Sequence, residues 1–268
     1  MYINTNTSSL VARNAMRIND NDLSKAMERL SSGLRINTAA DDAAGLAISE
    51  RMNSQVRGMK QATRNAQDGV SLIQTAEGAM GTIADILQRM RELSVQADND
   101  TYSATDKGSV KDEMTKLAKE IDHIATTTTF NGITLLGSTQ SVTLHISDKF
   151  DDTLAVNLTD VQTTALGIDS IDVATDAKAA IKAIDGALDK ISKGRGELGA
   201  NQNRLDFIVD NLQLSIQNTE ASKSRISDAD MAAESSSLTR AQILSQSSMA
   251  MLQKANQKPQ SIMQLLQG

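Results

Sequence analysis

The residues able to do chemistry in this chain are few. It has 268 residues, two histidines and no cysteine. Disulfides and thiolate metal sites are therefore excluded. His123 stands in a helical pattern and His145 in an alternating one, and no H-E-x-x-H or Cys/His spacing is present. The sequence thus reads as binding no metal. GRGELG at 194–199 fits G-x-G-x-x-G. A dinucleotide site needs a strand, a turn and a helix start around that motif. Here no strand precedes it, and Ile191 and Leu198 fall on one helical seam across it, so it reads as a stretch of helix. Asp41 and Asp42 form a carboxylate pair that acid–base catalysis could use. They sit just before a long apolar-periodic run, where side-chain oxygens and negative charge favour helix initiation, and capping is the reading adopted. Serines are plentiful without a G-x-S-x-G elbow. No nucleophile, base and orienting group come together, so the chain reads as a non-enzyme without a cofactor. The run Thr126–Thr129 reads either as a helix stop or as a surface for O-linked sugar.

The elements that carry these residues follow from composition and period. Hydrophobic residues make up 40% of the chain and aromatics only 2%, with a single proline, Pro259. Ala, Leu, Ile, Val and Met must fill any core, which suits helix-on-helix packing, and little forbids long helices. The net charge of -6 disfavours nucleic acid and anionic membranes as partners. No apolar run is long enough for a membrane span. The start, MYINTNTSSLVARNAM, has neither a basic n-region nor an apolar h-region. The expectation is a protein that stays in the cytosol or leaves by a route that removes nothing.

Met16, Leu23 and Leu30 lie seven apart, and Met27 and Leu34 give a second position of the same heptad. Leu244, Met251, Ala255, Ile262 and Leu265 step by sevens, fours and threes. Both ends read as helices with a narrow apolar seam. From Asp42 to Ala97, Val56, Met59, Ala66, Val70, Ile73, Ala76, Met80, Ile83, Leu87, Met90 and Leu93 recur at helical steps. That helix would be about 80 Å long. A second inner helix carries Val110, Met114, Leu117, Ile121 and Ile124, with Ser103 or Thr105 as its N-cap. A third carries Ile184, Ile191, Leu198, Leu205 and Leu212. Between these two the period changes to two, around Ile133, Val142, Leu144, Leu154 and Val156, with Asn-Gly, Gly-Ser and Asp-Asp turn signals.

The fold class expected is mainly α: a long antiparallel helical rod with coiled-coil terminal helices and one small β-hairpin region near 130–160. Residues 1–34 and 236–268 form the terminal coiled coil, 35–44 and 222–235 are linkers, and 45–221 is the rod. Ordering the backbone costs about 1–2 kcal/mol per residue, which the few apolar side chains of a terminal helix cannot offset alone. Even the terminal pair leaves apolar surface uncovered. The expectation is that both ends are disordered in the free subunit and ordered by other copies of the chain. Copies added head to tail make an open filament.

RLSSGLRINTAADDAAGLAISERM (29–52) resembles the N-terminal signature of bacterial flagellin. So do QTAEGAM (74–80), QRMRELSVQ (88–96), FNGITLLG (130–137), LGANQNRLD (198–206) and AQILSQSSMAMLQKANQKPQSIMQLLQ (241–267). The resemblance implies a secreted, extracellular structural subunit of the bacterial flagellum. It would be exported unfolded through the type III channel and added at the distal tip under a cap. Met16, Leu23, Met27, Leu30, Leu34, Leu244, Met251, Leu252, Ile262, Leu265 and Leu266 would carry polymerisation. It further implies an export chaperone on residues near 230–268, filament cap and hook-junction partners, and an innate immune flagellin receptor contacting Arg89, Leu93 and Glu113. Many family members insert large outer domains where this chain has only 130–175, so it resembles a minimal member. A coiled-coil adaptor and a hook–filament junction protein are the competing readings. The inner blocks QRMRELSVQ and FNGITLLG disfavour the junction protein.

Overall fold

The computed structural model describes residues 5–267 of the chain, with side chains through Gln257. In order come α1 (Thr7–Ser32), α2 (Ala43–Ala97), α3 (Ala104–Thr127), β1 (Thr129–Phe130), β2 (Ile133–Thr134), β3 (Gln140–His145), β4 (Thr153–Leu158), α4 (Thr163–Leu166), α5 (Ala177–Ser227) and α6 (Met231–Gln267). The helix expected from Asp42 to Ala97 is α2, and the two other inner helices are α3 and α5. The chain divides into two compact units, Met1–Ser54 with Gln217–Gly268, and Gln55–Ile216.

In the central unit, Gln55–Ile216, the inner halves of α2 and α5 run antiparallel. Arg91 pairs with Asp185 at 2.7 Å and Arg195 with Glu77 at 3.4 Å. The α2 residues Ile73, Met80, Ile83, Leu87 and Met90 and the α5 residues Ile184, Ile191 and Leu205 are fully buried, with Ile121 of α3 among them. Their three-, four- and seven-residue spacing puts one face of each helix inward.

The single hairpin region expected near 130–160 resolves into two antiparallel pairs, β1 with β2 and β3 with β4. The first turns on Asn131 (φ 48°) and Gly132 (φ 80°), the left-handed conformations an Asn-Gly hairpin turn requires. In the second, Leu154, Val156 and Leu158 alternate inward and are buried. This hairpin lies against α2: Asn65 Nδ2 donates to the carbonyl of His145 at 3.0 Å, and a Cβ at Gly69 would collide with Leu144. The one-turn helix α4 has no counterpart in the periodicity, because four residues are too few to show one.

Ser103 is the N-cap of α3. Its hydroxyl accepts from the backbone N–H of Asp106 at 3.3 Å, and Asp106 accepts from the backbone N–H of Ser103 at 3.1 Å. This reciprocal capping box holds the Asp106 carboxyl below its ordinary 3.8, chiefly through the Ser103 hydroxyl. A lowered carboxylate pKa adds stability above the unfolded value and loses it as pH falls through the folded one. Amide protection over the first turn of α3 is therefore expected to hold at neutral pH and to fall on acidification below 3.8. Hydrogen exchange against pH checks this, with Asp106→Asn as a chain weakened at neutral pH. Unchanged protection in acid would remove the argument.

Candidate assembly surface

The terminal unit, Met1–Ser54 with Gln217–Gly268, is built around α1 and α6. Asn6 caps α1 by accepting from Ser9 N–H at 3.1 Å. Gly33 ends it in the left-handed region at φ 72°, where its missing Cβ avoids the usual penalty. The α5–α6 turn is short, since only residues 228–230 interrupt the helices across the stretch 222–235. Leu34 bridges to Asp228. Arg35 N–H donates to Ser227 O at 2.7 Å, and Ala229 N–H to Gly33 O at 2.9 Å. These bonds start α1 and α6 side by side and antiparallel. On the far side of the α1–α2 connection, Asp42 accepts from Gly45 N–H at 2.9 Å and so initiates α2. Asp41 accepts from the backbone N–H and hydroxyl of Thr38, which hold its carboxyl low. Asp42 thus caps α2, whereas Asp41 reaches back to Asn37 and Thr38 and holds the loop before the helix.

The seam between α1 and α6 is thin and crossed by polar links. Asn19 Nδ2 donates to Ser248 Oγ at 2.7 Å, Ser245 Oγ to Asp20 Oδ1 at 2.9 Å, and Asn6 Nδ2 to Ala255 O at 2.9 Å. Arg29 and Glu234 stand 3.9 Å apart. The register set by Asn19 and Ser248 places Ala26 opposite Ala241 one heptad to one side and Ala12 opposite Ala255 one heptad to the other. Only Ala26, Ala241 and Ser248 are buried among the described residues of α1 and α6. Among the residues whose side chains are described, none of either helix belongs to the two apolar clusters.

The large apolar side chains face out instead. Val11 is 70% exposed and Met251 64%, and Ile18, Met27, Ile243, Leu244 and Met249 are also exposed. Val11, Ala12 and Ala15 of α1 and Leu244, Met251 and Ala255 of α6 line one open groove along the pair. Next to it the lining turns polar, with Asp22, Lys25, Arg29, Glu234 and Arg240. A contiguous apolar strip rimmed by charge is the signature of an association surface.

Met16, Leu23 and Leu30 are half-buried on the α1 strip beside Asn19 and Ala26, and Leu252 is half-buried on α6. Met27, Leu34, Leu244 and Met251 are exposed. Ile262, Leu265 and Leu266 lie outside the residues whose side chains are described. Sequence reasoning passed over Val11, Ile18, Ile243 and Met249. Val11, Ala15 and Ile18 carried a helical spacing of four and three that went unused.

Arg89 and Glu113 come together at 3.1 Å, both half exposed, and Arg89 also reaches Glu92 at 3.2 Å. Leu93 is only 2% exposed. The receptor contact that the resemblance implies for Leu93 is not one its side chain offers here, since that side chain belongs to the central core. GRGELG lies wholly inside α5, with Gly194 facing the tip of Met80 of α2, so the motif is a stretch of packed helix. The hydroxyls of Thr126, Thr127 and Thr128 all bond to carbonyls one turn back, as at a helix stop. Among the described residues no group of His, Asp and Glu is arranged to hold a metal ion, and no helix is long and apolar enough to cross a membrane.

Two long stretches of the sequence, each running from one end into the central unit, match known families. Residues 3–141 match the bacterial flagellin N-terminal helical region, and 181–266 match the bacterial flagellin C-terminal helical region. The flagellin of Halalkalibacterium halodurans is 49% identical over 271 residues, covering 99% of this chain and 100% of that protein. The flagellin of Bacillus subtilis is 43% identical over 305 residues, with the same coverage. The crystal structure of Bacillus cereus flagellin superposes with a TM-score of 0.52 at 36% identity, over 56% of this chain and 88% of that one. The chain belongs to the bacterial flagellin family. It is a structural subunit of the flagellar filament, a helical self-assembly, and not an enzyme.

Proposed function

We propose that the chain polymerises through the α1–α6 pair, whose open groove is covered by the terminal helices of neighbouring copies. The observation that carries this is the groove itself. Val11, Leu244 and Met251 stay exposed, while along the seam behind them only Ala26, Ala241 and Ser248 are buried and Met16, Leu23, Leu30 and Leu252 are half-buried. Such a seam contributes little against the backbone entropy of two ordered helices. The pair is therefore marginal in the free subunit and gains its order from assembly. Residues 1–34 and 236–268 act as the assembly core, 45–221 as the filament wall, and 35–44 and 222–235 as the links between them. Electron microscopy of purified chain added to short filament seeds tests the reading. Long uniform tubes are expected, and a chain that stays soluble on seeds contradicts it.

The family resemblance extends this reading. The subunit is exported unfolded and ends extracellular, with cap and hook-junction proteins at the filament's ends and an export chaperone on residues near 230–268. An innate immune receptor for flagellin reads the surface around Arg89 and Glu113. A guanidinium and a carboxylate fixed in one ion pair offer charge-assisted bonds to a partner, and Leu93 supports them from below. Arg89→Ala is expected to weaken receptor activation by monomer about tenfold or more, as loss of an Arg hot spot does. A cell reporter assay at matched protein concentration measures this, and an unchanged dose response removes the receptor surface from the account.

A further inference from the structure

Apart from the half-buried Met16 and Met52, the methionines whose side chains are described fall into a buried and an exposed group. Met59, Met80, Met90 and Met114, in the central unit, are buried at 7%, 1%, 1% and 5%. Met27, Met231, Met249 and Met251 are exposed at 49%, 51%, 47% and 64%. All four lie on α1 or α6. With no cysteine in the chain, thioether sulfur is its only readily oxidised sulfur. Oxidation follows exposure, and a sulfoxide turns a flexible apolar side chain into a polar one. Of the four, only Met251 lines the apolar groove, which Val11 and Leu244 also line.

We propose that Met251 is an oxidation site that switches self-association off in the free subunit. The reacting partner is a peroxide-class oxidant. The sulfur lone pair attacks one peroxide oxygen, the O–O bond breaks, and an S–O bond forms. The second oxygen leaves as water after a proton shift. Sulfur loses two electrons and the peroxide gains them. The product places a strong dipole in a groove otherwise ready to be covered by apolar surface, and burying it unpaired opposes assembly. A thiol-dependent methionine sulfoxide reductase reverses the step. In the filament the same groove is covered, so incorporated subunits resist the oxidant. This inference rests on the proposal that the groove takes another copy.

The test uses the full chain and hydrogen peroxide. Soluble subunit is treated, the peroxide is removed, and peptides are weighed for one added oxygen. Met251 is expected to react well before Met80 and Met90. In seeded assembly the treated chain should leave about tenfold or more protein in solution at equilibrium, and sulfoxide reductase should restore the untreated value. For Met251→Leu, whatever its own starting level of assembly, the protein left in solution should be the same with and without peroxide treatment. Normal assembly of chain fully oxidised at Met251 overturns the inference, as does equal peroxide inhibition of Met251→Leu. Should that variant fail to assemble at all, the reductase rescue of wild-type chain decides alone: no rescue overturns the inference. The underlying reading fails separately, if untreated chain does not extend seeds or if Met251 in filaments oxidises as fast as in free subunit.

Discussion

A chain carrying Leu244→Asp and Met251→Asp is expected to remain soluble on filament seeds at concentrations where the parent chain is almost wholly polymerised. Both residues line the groove between α1 and α6 and both are exposed in the single chain. Placing carboxylates there costs little while the groove is open. It costs several kcal/mol per group once a neighbouring copy excludes water, and the one lysine lining the groove among the described residues, Lys254, can offset only one of the two. Two such groups raise the soluble concentration at equilibrium by about a thousandfold or more. The central unit should be untouched, because neither residue belongs to an apolar cluster. Thermal unfolding of the rest of the chain should follow the parent's. Sedimentation on seeds and scanning calorimetry measure the two halves of the expectation. Filaments at the parent's concentration would mean that the groove stays open in the assembly.

Leu87→Ala should do the reverse. Leu87 is fully buried among α2, α3 and α5. Removing its branched end leaves a cavity that helices joined along their length cannot close. A loss of about 2–5 kcal/mol is expected, read as a lower denaturant midpoint with unchanged slope. At low temperature the variant should still extend seeds, since its terminal pair is intact. A loss under about 1 kcal/mol would show that the packing around Leu87 is looser than described. Leu93→Ala belongs to the same class of change. A receptor assay on that variant would report core damage, which is why Arg89 is the informative substitution.

Much of this molecule is legible in its sequence because its core is organised by repetition. A buried residue every three or four positions over the 55 residues of α2 leaves little freedom about what faces inward. Ser103 and the Asn131–Gly132 turn announce themselves because each conformation admits few residue types. The hairpins were legible as one region and not as two, since β1 and β2 are two residues each, shorter than any period. The assembly surface was only half legible. Heptad reasoning finds Met16, Leu23 and Leu30 but cannot separate side chains that meet the intramolecular seam from those left outside it. That separation depends on Asn19 and Ser248 meeting, two residues from opposite ends of the chain. Leu93 falls on the inward face of α2 by that helix's own periodicity and is buried; its receptor contact was implied by the resemblance alone.

Amide hydrogen exchange on free subunit and on filament, compared segment by segment, tests the central claim most directly. The claim is that α1 and α6 are a marginal pair until other copies cover their groove. Fast exchange is predicted across 7–32 and 231–257 in the free subunit, and slow exchange over the same residues in the filament. The interior of α2, α3 and α5 should be protected alike in both states. Equal protection of α1 and α6 in free subunit and filament would contradict the account.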